Sequence, residues 1–168
     1  MINKKSVLAI IPARSGSKRL IDKNKRLFCG KPLTQWTIEA ALNSQVITDI
    51  VVSTDCDDII SLSNSFDIKT IRRPNELSND TAKIEDVIFH SINELKGETY
   101  DYIILLQPTS PLRLPIHIDE AFDQLVRLNA NAIISVCETS DHPFWSNTLD
   151  DSLNMEGFIE HDFIGLRK

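Results

Sequence analysis

Short apolar runs rich in β-branched residues alternate along the chain with amphipathic stretches, and this alternation sets the expected architecture. Residues 7–11 (VLAII) are continuously apolar, as in a strand buried on both faces, and Pro12 closes the run. Residues 13–31 are polar and basic without a period, which predicts a loop. Pro32 suits the first turn of a helix, with Leu33, Trp36, Ile38, Ala40, Ala41 and Leu42 on its apolar face and Trp36 in the core. A second strand is expected over 49–54, a helix over 55–66 that starts on acidic residues, and a short third strand over 68–71. Ser78, Asn79, Asp80 and Thr81 offer N-caps for a helix over about 82–95. Residues 102–106 (YIILL) predict a fourth, fully buried strand. The helix after Pro115 carries Ile118, Ala121, Phe122, Leu125 and Leu128 on one face, and 132–136 (AIISV) predict a fifth strand. Strand and helix in alternation predict an α/β fold, a mainly parallel sheet with helices on both faces. In such sheets ligands bind beyond the carboxyl ends of the strands, which points to the segments after VLAII, VVST and IILL. Residues 138–168 lose the alternation, so the expected division is an α/β unit over 1–137 and a different, incomplete region over 138–168.

Composition narrows the function. The 168 residues are 42% hydrophobic and 25% charged, enough for a core without disulfides or a structural metal. No apolar run approaches the roughly 20 residues that span a bilayer, and 7–11 is shorter than a signal-peptide core, so a cytoplasmic protein with no membrane association is expected. Cys29, Cys56 and Cys137 lack metal-ligand spacing. The net charge of −6 argues against a nucleic-acid partner. Its distribution is uneven: residues 1–31 carry +8 and the remainder −14. Such a basic run is either a solvated edge or a site for a small polyanion.

Three segments carry candidate chemistry. Ala13, Arg14, Ser15, Gly16, Ser17 and Lys18 follow the first strand directly. Small residues there let backbone N–H groups turn toward an anion, Arg14 can fork onto phosphate oxygens, and Lys18 and Lys23 add point charges. Neither GxxxxGK[ST] nor GxGxxG is present. Gln107, Thr109, Ser110 and Arg113 follow the fourth strand in a loop stiffened by two prolines, which reads equally as a ligand loop or a rigid lead into a helix. Arg72 and Arg73 before Pro74 fit base or phosphate recognition and fit surface ion pairing as well. Asp55, Asp57 and Asp58 are explained by a helix N-terminus, and His90 and His117 by surface or capping roles.

Read together, IPARSGSKRLIDKN, GKPLTQWTIEAAL, VVSTDCDDI, RRPNELSNDTA and LLQPTSPLR resemble the acylneuraminate cytidylyltransferase family, over nearly all of residues 6–137. The resemblance implies the Rossmann-like nucleotide-diphospho-sugar transferase fold. It also implies transfer of CMP from CTP to the anomeric hydroxyl of a sialic-acid-like keto sugar acid, with release of pyrophosphate, in the service of surface polysaccharide biosynthesis. Carried over by position, Arg14, Ser15, Gly16, Ser17 and Lys18 wrap the CTP phosphates. Lys23 and Asn24 meet phosphate and ribose, Arg73 and Ala82 lie beside cytosine, and Gln107 sits between nucleotide and sugar acid. Catalysis falls to Arg14, Lys18, Lys23 and Gln107, and sugar-acid binding to Gln107, Thr109, Ser110 and Arg113. Mg²⁺ is the implied cofactor, with no ligand assigned in this chain. The family's metal aspartates, further sugar-acid contacts and dimerisation hairpin are expected beyond Lys168, and a homodimer once that region is complete. One departure is Arg19, where the family loop carries glycine. His142-Pro143-Phe144-Trp145 resembles a segment near the sugar acid. The competing expectation is a CTP-binding module, catalytically incomplete and without turnover.

Overall fold

The computed structural model describes residues 5–17, 20–138 and 151. Lys18, Arg19 and the 142–145 segment named above lie outside them. Met1–Ile133 form one compact unit and Ile134–Lys168 a second. The first holds every regular element described below.

Four strands, β1 (Val7–Pro12), β4 (Asp49–Thr54), β5 (Lys69–Arg72) and β6 (Tyr102–Leu105), form a parallel sheet in the order β5-β4-β1-β6. Two-residue strands β2 (Leu27–Phe28) and β3 (Lys31–Pro32) make an antiparallel hairpin in the loop after β1. Its turn is Cys29-Gly30, with φ of 49° and 83°; a two-residue turn with both φ positive matches the twist of its strands. The helices are α1 (Leu33–Leu42), α2 (Asp57–Ser65), α3 (Ile84–Glu94) and α4 (Pro115–Arg127), with single 3₁₀ turns at Lys23–Lys25 and Asn75–Leu77.

The continuous apolar run of β1 is explained by its central place. Successive side chains point to opposite faces, and both are covered. Ala9 and Ile11 pack with Ile38, Ala40 and Ala41 of α1, Ile59 of α2 and Ile118 of α4. Leu8 and Ile10 pack with Val51, Ile71 and Leu95, and with Ile88 and Ile92 of α3. Helices therefore lie on both faces, as the alternation predicts.

Four expectations are corrected. β6 is an edge strand and not fully buried: it pairs with β1 alone, and Ile103 is 42% exposed. Residues 132–136 form no strand, because they have no ladder partner; Ile134 and Val136 are 81% and 90% exposed. Trp36 leaves the core for the hairpin, where its indole N–H donates to the Phe28 carbonyl at 2.8 Å and Lys31 Nζ lies 4.8 Å from its ring centroid. Leu42 and Leu128 are exposed, since the buried stripe of α1 runs through Thr34, Thr37, Ile38 and Ala41, and α4 ends at Arg127. The helix expected from about 82 starts at Ile84, with Lys83 at its cap making no side-chain cap bond; Glu85 and Asp86 complement its first turn. His117 does cap: its Nδ1 accepts the Leu114 N–H at 3.2 Å.

This arrangement predicts that Ile11→Ala destabilises the chain by about 2–5 kcal/mol. Ile103→Ala, at the exposed edge, is predicted to cost under about 1 kcal/mol, both read from urea unfolding midpoints.

Candidate active site

The strand order reverses between β1 and β6, and a crevice at such a switch point is where open parallel sheets bind ligands. Here it holds a cavity of ≈ 210 Å³. Pro12, Arg14 and Ser17 reach it from the end of β1, Lys23 and Asn24 from the first 3₁₀ turn, Arg73 from the end of β5, and Gln107 and Thr109 from beyond β6. Leu77, Ala82, Ile84 and Val87 give it an apolar side. A hollow of ≈ 510 Å³, lined by Gly16, Ile21, Ser78 and Thr81, shares Arg14, Ser17, Asn79 and Asp80 with it.

Arg72 and Arg73 separate because neighbours on a strand face opposite ways. Arg72 is exposed and donates to Asp57. Arg73 is 5% exposed. Its Nε donates to Ser53 Oγ at 3.2 Å and its Nη2 to the Ser53 carbonyl at 2.8 Å. It forms no ion pair among the described residues. Burial pushes its pKa down to about 10, against the pull of Asp55 and with the repulsion of Arg14, so it stays charged at neutral pH. A buried cation without a bound carboxylate is costly to the fold, and an anionic ligand removes that cost.

The other cations divide by partner. Lys5 pairs with Asp101, Lys25 with Asp22 and Asp58, and Lys31 with Glu39, which accounts for part of the basic run as a solvated edge. Lys23 lines the cavity and forms no ion pair among the described residues. Arg14 is held by Asp80, with Nη1 on the Ser78 carbonyl at 3.4 Å, so its guanidinium ties the 78–80 segment to the β1 loop. Asn24 is buried, and its amide donates to the Arg14 carbonyl at 2.8 Å.

Not every residue named from sequence lines the cavity. Ala13 is buried beneath the loop, its N–H on the Ser53 carbonyl at 2.9 Å and its carbonyl taking the Thr54 hydroxyl at 2.6 Å. The Ser15 N–H and hydroxyl are both bound by Asp55, and the Ser17 N–H by the Ser15 carbonyl. Those groups therefore face the protein and do not form the open ring of N–H donors that small residues suggest. Gly16 has room for a Cβ, with nothing within 4 Å. Ser110 and Arg113 turn the 107–113 loop on itself: the Ser110 N–H and Arg113 Nη2 both donate to the Gln107 carbonyl, at 3.3 and 3.2 Å. Asp55, Ser53, Thr54 and Asp80 were not singled out as site residues. The position of 53–55 at the end of an apolar strand was the available signal.

The family model for cytidylyltransferases matches residues 8–153. The chain belongs to this family. Among curated relatives, this cytidylyltransferase chain is 36% identical over 152 residues to the CMP-N,N'-diacetyllegionaminic acid synthase of Legionella pneumophila, covering 89% of the chain and 65% of the relative. It is 36% identical over 153 residues to the N-acylneuraminate cytidylyltransferase of Escherichia coli, covering 90% of the chain and 36% of the relative. The chain thus spans about two thirds of one relative's length and just over a third of the other's. Among solved structures it is similar to the CMP:2-keto-3-deoxy-manno-octonic acid synthetase complexed with CTP, with TM-score 0.63 and 26% identity over 74% of the chain and 49% of that structure. The expected family and the Rossmann-like parallel sheet are borne out.

In this cytidylyltransferase chain, Arg73→Met is predicted to weaken binding of a nucleoside triphosphate about tenfold to a hundredfold. It is predicted to leave the ligand-free melting temperature within a few degrees, since the buried charge departs with its hydrogen bonds. Calorimetric titration and a thermal melt on the same samples check both halves.

Proposed function

We propose that the chain binds CTP in the β1–β6 crevice and transfers CMP to the anomeric hydroxyl of a sialic-acid-like keto sugar acid. The observation that carries this reading is Arg73, a buried cation with no ion pair among the described residues, in a cavity that also presents Arg14, Lys23, Asn24 and an apolar side. A nucleotide has the matching parts, a flat base for the apolar side and a polyanion for the cations. The family membership and the names of the relatives support cytosine as the base and a nine-carbon-type sugar acid as the acceptor.

In the reaction, the anomeric oxygen attacks the α-phosphorus, the bond to the β-phosphate oxygen breaks, and pyrophosphate leaves. Negative charge grows on the phosphate oxygens, and Arg73, Lys23 and Arg14 supply fixed positive charge where it grows. Arg14 must exchange Asp80 for a phosphate oxygen, so binding loosens its tie to the 78–80 segment. Lys18 belongs to the same cation set. Ala82 is assigned to the base. Gln107 and Thr109 are assigned to the acceptor, which their place in the cavity lining supports, and Ser110 and Arg113 hold that loop in shape. Magnesium, a cytoplasmic location and a homodimer complete the reading. Among the described residues no group of three or more His, Cys, Asp or Glu gathers that could hold a metal ion. No helix among the described residues is long and apolar enough to cross a membrane.

Thermal unfolding with CTP, UTP, ATP or GTP, each with Mg²⁺, tests the reading. A ligand at about 100 times its Kd adds about 2.7 kcal/mol, a shift of several degrees for a chain of this size. The predicted result is a shift with CTP above the other three, followed by pyrophosphate release when a sugar acid is added. A CTP shift with no pyrophosphate release from a panel of sugar acids assigns the chain to binding without turnover. No shift with any nucleotide rejects the proposal.

A further inference from the structure

Asp55 stands apart from the two aspartates that follow it. Asp57 and Asp58 lie in the first turn of α2 and pair with Arg72 and Lys25. Asp55 precedes the helix, whose N-cap position is Cys56. Its carboxylate turns back across the sheet end to the loop after β1. Oδ1 accepts the Ser15 N–H at 2.7 Å and Oδ2 the Ser15 hydroxyl at 2.6 Å. Both oxygens thus hold one residue, forty positions away in sequence.

A carboxylate beside a loop that is to meet a polyanion carries an electrostatic cost. A compensating role is therefore required, and the geometry shows one. Residues 13–17 belong to no helix or strand. Ala13 is fixed by Ser53 and Thr54, and the Arg14 carbonyl by Asn24. Ser15 is the next residue, and Asp55 fixes both its donors. Without that contact, the bond left within 15–17 among the described residues is the short one from the Ser17 N–H to the Ser15 carbonyl, and the ordering of this stretch would have to be met on binding. Charge-assisted bonds to a carboxylate are among the stronger ones available for this. The same carboxylate lies close enough to Arg73 to favour its charged form.

We propose that Asp55 is a positioning residue, which sets the loop after β1 for the nucleotide phosphates by holding Ser15. This rests on the CTP-binding reading above. Asp55 does not touch the nucleotide: it acts through Ser15, and its effect falls on affinity more than on stability.

The test is calorimetric titration of CTP into the whole chain, as wild type, Asp55→Asn, Ser15→Ala and the double variant, with ligand-free melts of each. Asp55→Asn is predicted to weaken CTP binding about tenfold, and Ser15→Ala, which keeps the N–H contact, about threefold. The double variant is predicted to match Asp55→Asn within about twofold, because the two residues form one contact. Wild-type affinity in Asp55→Asn overturns the inference. Losses that multiply in the double variant also overturn it, since Asp55 would then act by its charge and not through Ser15. Should Asp55→Asn fail to melt cooperatively, Ser15→Ala decides: a threefold loss supports the inference and wild-type affinity overturns it. A wild-type chain that binds no CTP removes the functional reading itself, an outcome distinct from tight CTP binding that the variants leave unchanged.

Discussion

Three consecutive residues at the carboxyl end of β4 tie together the two basic segments of the crevice. The Ser53 carbonyl accepts both the Ala13 N–H and Arg73 Nη2, Thr54 donates its hydroxyl to the Ala13 carbonyl, and Asp55 takes both donors of Ser15. The loop after β1 and the arginine after β5 are thereby fixed to one short stretch of backbone. That stretch is itself rigid, because Val51 to Thr54 are buried, Val51 to Ser53 pair with strands on both sides, and Thr54 pairs with β5. Positive charge is held in place before any ligand arrives, which is the condition for electrostatic stabilisation without reorganisation.

Arg73 shows the tension in such a site. Its guanidinium has lost water and gained two hydrogen bonds, both to Ser53, but among the described residues no carboxylate binds it. Arg14 differs in kind: it is half-buried, and Asp80 already neutralises it. The first is a buried cation held by neutral groups, and the second is in an ion pair that a ligand must displace. A phosphate chain meeting both would satisfy one cation and release a surface carboxylate from the other.

Much of this could be read from residues alone. A continuous apolar run at 7–11 required a central strand, and the structure places β1 between β4 and β6. The same argument misplaced 102–106, because an apolar run does not distinguish a central strand from an edge strand partly covered by a helix; Phe122 of α4 covers Tyr102 edge to face at 5.1 Å while Ile103 stays exposed. It also misplaced 132–136, where strand propensity was present but no ladder partner was. In the site, Arg14, Ser17, Lys23, Asn24, Arg73, Ala82, Gln107 and Thr109, named from loop chemistry or from the family resemblance, all line one cavity. The split between Arg72 and Arg73, and between the paired Lys25 and Lys23, which has no ion pair among the described residues, was not legible. Both depend on which way a side chain points once the strand and the 3₁₀ turn are set. Asp55 was absorbed into a helix-terminus explanation that fits its two neighbours, and only the long-range contact to Ser15 separates it from them.

The account turns on a nucleotide anion reaching the buried Arg73. The side-chain Nε–H of that arginine is hydrogen-bonded to Ser53 and shielded from water, so it is suited to observation by ¹⁵N NMR of labelled arginine. Titration with CTP is predicted to move the Arg73 Nε resonance saturably, at the concentration that saturates calorimetric binding. Saturable CTP binding with that resonance unmoved would contradict the account, because the nucleotide would then be held elsewhere.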